Sequence, residues 1–392
     1  MTTGAAWQRV RVDDVASIER DAVLPGDIAT GTNYVGLEHI DSDGNFVGMS
    51  PVVSGVLASN KFRFGPKHIL FGKLRPYLKK TARPDFYGIC STDIVPILPG
   101  PRVDRGFLFH FLRHPKTVEE AVLRCAGANL PRLSPRDLEA LELPLPPLPE
   151  QRRIADILDN ADAVRRKRKH AIALTEELLR SAFLEMFGDP VTNPKGWPVS
   201  TFGAELQKME YGPRFYNEKY SSDGVRIVRI TDLSAGGALD FESMPRLSMS
   251  EADRARYALK PGEIIFARTG ATVGKTALVE EEAPECVAGA YFIRLQLKKR
   301  VLPRYARMVI ASERVQAFIA RRSRQSAQQN FSGPGIRELA LPVPPLALQR
   351  TLETVAGRCA KVEATQRAHD RIAADLFDAL TQQAFRGELG RA

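Results

Sequence analysis

Residues 269–276 read TGATVGKT, close to the phosphate-binding pattern GxxxxGK[ST] of nucleotide-binding proteins. That pattern needs glycine at its first position, where the backbone must approach the phosphates closely, and this chain has threonine there. A similar segment at residues 74–81, LRPYLKKT, contains no glycine at all. We therefore interpret Gly270 and Gly274 as turn residues, with Lys275 facing solvent or a nucleic acid.

Two histidines four residues apart, His110 and His114, would share one face of a helix. The zinc motif HExxH also requires glutamate directly after the first histidine, and Phe111 occupies that position. The nucleophile pattern GxSxG does not occur, and neither does the NPPY or DPPY pattern of amino-methyltransferases. The sequence therefore predicts no complete catalytic set, no metal site and no cofactor for this chain.

Basic side chains mixed with aromatic ones are more informative. They crowd two similar segments, HILFGKLRPYLKKTA at residues 68–82 and EIIFARTGATVGKTA at residues 263–277. Arginine and lysine neutralise phosphates, arginine also reads guanine, and asparagine or glutamine suits adenine. We predict that DNA is contacted by Lys73, Arg75, Tyr77, Lys79, Lys80, Asn129 and Arg132 in one half of the chain and by Arg214, Tyr216, Arg268, Thr269, Lys275, Gln328 and Asn330 in the other.

The composition agrees with an acidic polymer as partner. The chain has 392 residues, enough for two domains, and a formal net charge of +10. No apolar run reaches the length of a membrane span, and the amino terminus has no signal-peptide core. The four cysteines lack CxxC spacing, which favours buried thiols in a reducing compartment. We expect a cytoplasmic protein that binds nucleic acid.

A proline-rich strap that leads into a long helix occurs twice and organises the chain. Residues 143–158 read LPLPPLPEQRRIADIL, and residues 341–356 read LPVPPLALQRTLETVA, 198 positions later. Proline fixes φ and lacks an N–H, so each strap must be extended. The pattern that follows predicts a helix of about 37 residues in each copy, roughly 55 Å long.

Apolar residues recur at steps of three and four along both predicted helices, which defines a heptad seam. A helix this long with so narrow a seam needs a partner, so we expect the two helices to pack antiparallel as a coiled coil. Arg168 would then lie near Gln366 and His369 at the centre and fix the register. The predicted seam includes Ile154, Ile157, Ala161, Arg168 and Leu178 in the first helix and Leu352, Cys359, Gln366, His369 and Leu376 in the second.

A globular segment precedes each strap, and the two segments share the same order of features. Each begins near a tryptophan, contains a basic turn, continues into a short helical pair and ends in a polar loop. The predicted fold class is α/β (α+β), with two similar domains related by an internal pseudo-twofold repeat. The predicted boundaries are residues 1–142 for the first domain, 143–190 for the first strap and helix, 191–340 for the second domain and 341–392 for the second strap and helix.

With its two straps, the sequence MFGDPVTNPKGWP and the terminal QQAFRGEL, the chain resembles the specificity (S) subunits of type I restriction–modification systems over nearly its whole length. The resemblance implies two target-recognition domains held by two antiparallel helices. It implies binding to a bipartite, asymmetric site in double-stranded DNA with an unread spacer, and no catalysis by this chain. It also implies docking of two methyltransferase (M) subunits, which use S-adenosylmethionine to methylate adenine, and allows for motor–nuclease restriction (R) subunits.

Two other classes of protein stay open from the residues alone. A single-chain nuclease or methyltransferase with duplicated DNA-binding domains would explain the repeat and the charge, although no catalytic motif supports it. Binding of S-adenosylmethionine by the isolated chain would favour that class. A coiled-coil scaffold would explain the helices, but it would leave the basic turns without a role.

Overall fold

The computed structural model describes residues 7–53, 55–127, 129–214, 220–234, 236–323 and 330–389. The chain forms two compact units: the first contains residues 1–169 and 368–392, and the second contains residues 170–367. Two long helices each contribute one part to each unit. The boundaries predicted near residues 142, 190 and 340 divide the chain by segment rather than by compact unit, and they stay predictions.

Short strands of the first unit form one two-stranded and two four-stranded sheets. In the described residues these strands are β1 (Arg9–Arg11), β2 (Ala16–Ile18), β3 (Ala22–Val23), β4 (Tyr34–Val35), β5 (Lys61–Phe64), β6 (Ile69–Gly72), β7 (Thr81–Ala82), β8 (Gly88–Ser91), β9 (Ile94–Pro99) and β10 (Glu142–Pro144). The sheet orders are β1–β10, β2–β9–β6–β7 and β3–β5–β8–β4. Neighbouring strands run antiparallel except β4 and β8, which are parallel.

Helices of the first unit pack on the sheet that contains β6 and β9. They are α1 (Arg105–Arg113), α2 (Pro115–Leu123), α3 (Pro135–Glu139) and α4 (Leu148–Phe187), of which α4 continues into the second unit. The start of α1 is capped by the carboxylate of Asp104, and α3 starts with proline behind a serine cap. The main core of this unit joins Phe107 of α1 to Ile97 of β9 and Leu158 of α4.

The second unit repeats this plan, as the sequence predicted. Its described strands are β11 (Val199–Thr201), β12 (Leu206–Tyr211), β13 (Tyr220–Ser221), β14 (Val225–Val228), β15 (Arg246–Leu247), β16 (Ile264–Ala267), β17 (Thr276–Leu278), β18 (Cys286–Ala288), β19 (Phe292–Leu297) and β20 (Ala340–Pro342). Its described helices are α5 (Phe202–Glu205), α6 (Glu251–Tyr257), α7 (Pro303–Ala311), α8 (Glu313–Ser323), α9 (Gly333–Glu338) and α10 (Leu346–Arg386). The sheet orders β11–β20 and β12–β19–β16–β17 match those of the first unit. The third sheet, β13–β15–β14–β18, also contains a parallel pair, β14 with β18, but its edge strand is β18, whereas the edge strand of the parallel pair in the first unit is the earlier one, β4. The predicted α/β fold with two repeated domains is therefore confirmed.

A buried glutamine fastens the first strap to its unit. The side-chain oxygen of Gln151 accepts a hydrogen bond from the backbone N–H of Asp104 at 2.7 Å. Its amide nitrogen donates to the carbonyl oxygens of Arg102 at 3.0 Å and Pro146 at 2.8 Å. Gln151 is 0% exposed, so one side chain pairs the strap with the loop that leads into α1.

Gln349 makes the same set of contacts in the second unit. Its side-chain oxygen accepts from the N–H of Leu302 at 2.8 Å, and its amide donates to the carbonyls of Arg300 at 3.3 Å and Pro344 at 2.8 Å. Gln349 is also 0% exposed. The glutamine that both straps share in the sequence is thus the residue that joins helix, strap and domain within each unit.

Within each unit the parts of the two long helices run antiparallel. In the first unit, Arg153 donates to the carbonyl of Leu389 at 2.7 Å, and the Arg165 guanidinium lies 5.1 Å from the ring centroid of Phe377. Advancing along α4 from Arg153 to Arg165 therefore means going back along the chain from Leu389, just after α10, to Phe377 within α10.

In the second unit, Thr175 Oγ1 donates to Gln366 Oε1 at 3.1 Å, and Phe187 at the end of α4 shares a core with Leu352 near the start of α10. The predicted antiparallel pairing of the two helices is confirmed in both units. Arg168 belongs to the first unit and Gln366 to the second, and their predicted proximity stays a prediction.

The predicted seam residues differ widely in burial. Ile154, Leu352 and Cys359 are buried, Ile157, Ala161, Arg168 and Gln366 are half-buried, and His369, Leu178 and Leu376 are exposed. The buried face also includes Leu158, Ala356 and Ala384, because each helix part packs on the domain of its own unit as well as on the other helix. A strict heptad seam is too narrow to describe a helix with two neighbours.

Candidate nucleic-acid interface

The hairpin between β6 and β7 presents the predicted basic residues of the first unit. A 3-10 turn at Pro76–Leu78 is flanked by Arg75 and Lys79, both with φ of +53°. This left-handed conformation costs a non-glycine residue roughly 1–2 kcal/mol. Such strain is typical of functional sites, where the side chain is needed more than the relaxed backbone.

In the second unit, glycines stand where the first unit has these strained basic residues. Counting 195 residues from Arg75 and Lys79 gives Gly270 and Gly274. Both glycines are left-handed, with φ of +72° and +91°. The turn geometry is thus shared by the two units, and only the first unit has arginine and lysine at these two left-handed positions.

The late loop predicted to bind DNA lies against this hairpin. The N–H of Arg75 donates to the carbonyl of Pro131 at 2.8 Å, and the N–H of Leu133 donates to the carbonyl of Lys73 at 3.0 Å. The Arg75 guanidinium reaches the carbonyl of Asn129 at 3.5 Å. Two segments that are more than 50 residues apart in sequence therefore form one surface.

The side chains on this surface divide into two groups. Arg75, Tyr77 and Asn129 are exposed, and Lys73 and Lys79 are half-buried. Lys80 and Arg132 have protein partners. Lys80 Nζ donates to the carbonyl of Leu37 at 2.5 Å, and Arg132 Nε lies 3.2 Å from a carboxylate oxygen of Asp93. Lys80 therefore helps to hold the hairpin in place.

The hairpin between β16 and β17 occupies the same position in the second unit. The N–H of Gly274 donates to the carbonyl of Ala267 at 2.9 Å, which closes the turn, and Lys275 is half-buried. A strand follows this turn, whereas a nucleotide-binding loop leads into a helix. Gly270 and Gly274 are turn residues, as the sequence analysis interpreted them.

Arg268 has both a ring contact and a side-chain hydrogen bond on this surface. Its guanidinium lies 4.8 Å from the centroid of the Tyr211 ring, and its Nε donates to Asn330 Oδ1 at 3.3 Å. Thr269, half-buried, pairs through its backbone with Asn330. The hairpin and the late loop thus meet in the second unit as they do in the first.

Sequence reasoning placed Arg268 here but missed two aromatic residues beside it. Tyr211 ends β12, and Tyr291 accepts the backbone N–H of Arg268 at 2.9 Å; they are 45% and 59% exposed. Strand pairing brings them to the site from distant parts of the chain, and single-sequence patterns carry no signal for it. Arg214, exposed, follows β12 by three residues, and Tyr216 and Gln328 lie outside the described residues.

His110 belongs to a polar contact that holds the first domain on α4. Its Nε2 lies 2.7 Å from Asp159 Oδ1, and Arg83 makes two hydrogen bonds to the same carboxylate at 2.9 and 2.6 Å. Burial lowers the pKa of His110. Burial alone would raise the pKa of Asp159, but hydrogen bonds from His110 and Arg83 hold it below its usual range.

His114 instead caps α2, because its Nδ1 accepts the backbone N–H of Lys116. Burial lowers the pKa of His114 to about 4, and the positive charge of Lys116 adds to the effect.

The described residues contain no cluster of three metal-binding side chains. The thiols of Cys90 and Cys286 are buried, which raises their pKa values to about 12 and about 11 and makes them unreactive. Within the described ranges, no helix has the length and apolarity that crossing a membrane would require.

Comparisons with known proteins agree with this geometry. Residues 5–174 match the family described as the type I restriction modification DNA specificity domain. The EcoDI specificity subunit of Escherichia coli is 30% identical over 191 residues, which cover 47% of this chain and 42% of that protein. The EcoKI specificity subunit of Escherichia coli K12 is 24% identical over 316 residues, which cover 74% of this chain and 67% of that protein. The chain thus spans less than half the length of the first of these relatives.

Two solved structures share the whole fold. One, from a study of complex assembly and conformational transition in a type I R-M system, has a TM-score of 0.53 at 21% identity and covers 99% of this chain and 100% of that one. The S subunit from M. genitalium has a TM-score of 0.57 at 14% identity, with 98% of each chain covered. The chain is thus similar to type I restriction–modification specificity subunits, with the family match covering residues 5–174.

Proposed function

We propose that this chain is the subunit that reads DNA for a type I restriction–modification complex. The observation that carries the proposal is the pair of hairpins, β6–β7 and β16–β17, which present basic side chains at corresponding positions of two similar units. Arginine and lysine at such positions neutralise phosphates and leave arginine and amide groups for the base edges. Each unit reads one half-site, and the site is therefore bipartite.

The two half-sites differ in sequence, because the two surfaces differ in chemistry. The first surface offers Lys73 and Arg75, with Arg132 held by Asp93. The second offers Arg268 stacked on Tyr211. Different donors and acceptors at the base edges select different base pairs.

Methyltransferase subunits dock on the helices, one on each unit. Among the described residues, three large apolar side chains are exposed on the helix pair of each unit at positions that correspond when 198 is added or subtracted, and the second unit also exposes Leu184. The first unit exposes Val164 (48%), Ile372 (64%) and Leu376 (55%), and the second exposes Val362 (49%), Leu174 (49%) and Leu178 (60%). Apolar side chains repeated in this way favour a protein partner, and their duplication favours two copies of it.

Leu376→Glu is expected to remove the methyltransferase subunit bound to the first unit, and Leu178→Glu the one bound to the second. A buried, unpaired carboxylate in either interface costs several kcal/mol of binding. Native mass spectrometry of the reconstituted complex should then show two partner subunits with the unchanged chain, one with each single variant and none with both. Leu123→Glu is the matched control, because Leu123 is 87% exposed but lies on α2. Two bound partners in the double variant would contradict this docking surface.

The chemistry of methylation lies in the partner, which binds S-adenosylmethionine, and the proposal assigns no catalytic residue to this chain. We expect co-expression of the chain with its methyltransferase subunit to methylate adenine within one bipartite sequence, mapped by sequencing of the host DNA. The purified chain without partners should bind a duplex with that sequence and transfer no methyl group to it. Methyl transfer by the chain alone, or co-expression that marks adenines without regard to sequence, would overturn the proposal.

A further inference from the structure

Arg268 is held in one orientation by contacts on its backbone and on its side chain. Its N–H donates to the carbonyl of Tyr291 at 2.9 Å, and its carbonyl accepts from the N–H of Phe331 at 2.8 Å. The guanidinium stacks on the Tyr211 ring at 4.8 Å and uses its Nε to reach Asn330 Oδ1 at 3.3 Å. Both the position and the plane of the guanidinium are therefore set before any DNA arrives.

The Tyr211 ring on which Arg268 stacks is itself fixed. Its hydroxyl oxygen accepts a hydrogen bond from the N–H of Gly333 at 3.1 Å. A Cβ at Gly333 would lie 2.7 Å from Met209 Cε and 2.8 Å from the Tyr211 hydroxyl, so a larger residue there would displace one or both of these side chains. The start of α9 thus supports the tyrosine, and the tyrosine supports the arginine.

These contacts use one edge of the guanidinium and leave the two terminal nitrogens for another molecule. Among the described residues no carboxylate forms an ion pair with Arg268. A phosphate contact needs a positive charge but no particular plane, whereas a bidentate contact to the O6 and N7 atoms of guanine needs a guanidinium held in plane. We propose that Arg268 reads a guanine in the half-site of the second unit. This inference rests on the proposed function.

The first unit has no such reader at the corresponding position. Lys73 stands where the second unit has Arg268, and Arg132 stands where it has Asn330. Arg132 is paired with Asp93 at 3.2 Å. Lysine is a point charge without a planar fork, so a guanine contact from this position belongs to the half-site of the second unit only.

The test uses the full complex and a series of duplexes in which each base pair of the bipartite site is changed singly. The unchanged chain should bind about 10- to 100-fold more weakly when one G·C pair of one half-site becomes A·T. Arg268→Gln should bind the original site weakly and no longer distinguish that pair, while it keeps its discrimination at every other pair and its salt dependence. Replacing that guanine with 7-deazaguanine removes only N7, and it should weaken binding by the unchanged chain but not by the variant.

Lys73→Gln is the matched control, since its effects should be confined to the other half-site. Arg268→Lys keeps the charge and loses the fork, so it should behave like Arg268→Gln in discrimination. If Arg268→Gln binds every duplex equally more weakly and with a flatter salt dependence, Arg268 contacts a phosphate instead. If Arg268→Gln still distinguishes the G·C pair as the unchanged chain does, Arg268 makes no contact to it. Either result overturns the inference. If the unchanged complex shows no sequence preference at all, the proposed function fails rather than the assignment of Arg268.

Discussion

Gln349→Ala is expected to lower the free energy of unfolding of the second unit by about 3 kcal/mol. The change leaves the N–H of Leu302 and the carbonyls of Arg300 and Pro344 without the side chain that pairs them. Each buried polar group without a partner costs about 1–3 kcal/mol, and the lost side-chain volume adds a cavity. Denaturation of the full chain measures the loss, and hydrogen exchange of the Leu302 amide locates it.

Three variants separate the hydrogen bonds from other effects. Gln349→Met keeps most of the side-chain volume but removes the hydrogen bonds. It should therefore still cause most of the stability loss expected for Gln349→Ala. Gln151→Ala should cause the same loss in the first unit, because Gln151 makes the same three contacts. Arg350→Ala, at an exposed neighbour on the same helix, should change stability by no more than about 0.5 kcal/mol. A loss of less than about 1 kcal/mol in Gln349→Ala would mean that the strap is held by its other contacts.

The large features of this fold were predictable from the sequence because they repeat. Prolines in two straps, glutamine at the same offset and long helical patterns indicated two domains and two antiparallel helices. The helix faces were less predictable. Leu178 and Leu376 continue the apolar pattern, yet they are 60% and 55% exposed. Periodicity shows that a helix has an apolar face, but it does not tell whether a domain, another helix or a separate subunit covers it.

The candidate interface was predictable in part for the same reason. Basic residues near the two hairpins could be found by comparing the halves of the chain, and the structure brings the late loops to both hairpins. Tyr211 could not be found, because its position beside Arg268 comes from the pairing of β12 with β19 and of β19 with β16. The sequence alone aligns Arg75 with Gly270. Only the left-handed backbone at both positions shows that the arginine is strained where the other unit has a glycine.

Exchanging Arg75 and Lys79 for glycine, the residue that the second unit uses, should weaken DNA binding without loss of stability. Both residues are left-handed, and glycine adopts that conformation without strain. Relief of the left-handed strain stabilises the double variant, and the greater entropy of glycine in the unfolded chain offsets part of this gain. We expect a net rise of about 1 kcal/mol in the free energy of unfolding. Loss of two phosphate contacts should flatten the dependence of log K on log salt by about 1.8, which corresponds to binding about 30-fold weaker at 0.15 M salt.

A variant with the same loss of charge distinguishes local contacts from net charge. Arg9→Ala with Arg152→Ala removes two exposed positive charges from the strap region of the same unit, and it should leave the salt dependence nearly unchanged.

The reverse substitution, from glycine to a basic residue, can be made in the second unit at Gly270. An added Cβ there meets nothing within 4 Å, whereas a Cβ at Gly274 would lie 2.7 Å from Gln316 Oε1. Gly270→Arg should therefore steepen the salt dependence by about 0.9 and cost roughly 1–2 kcal/mol of stability. If the double glycine variant binds DNA with an unchanged salt dependence, Arg75 and Lys79 do not contact phosphates, and their strained backbone has another cause.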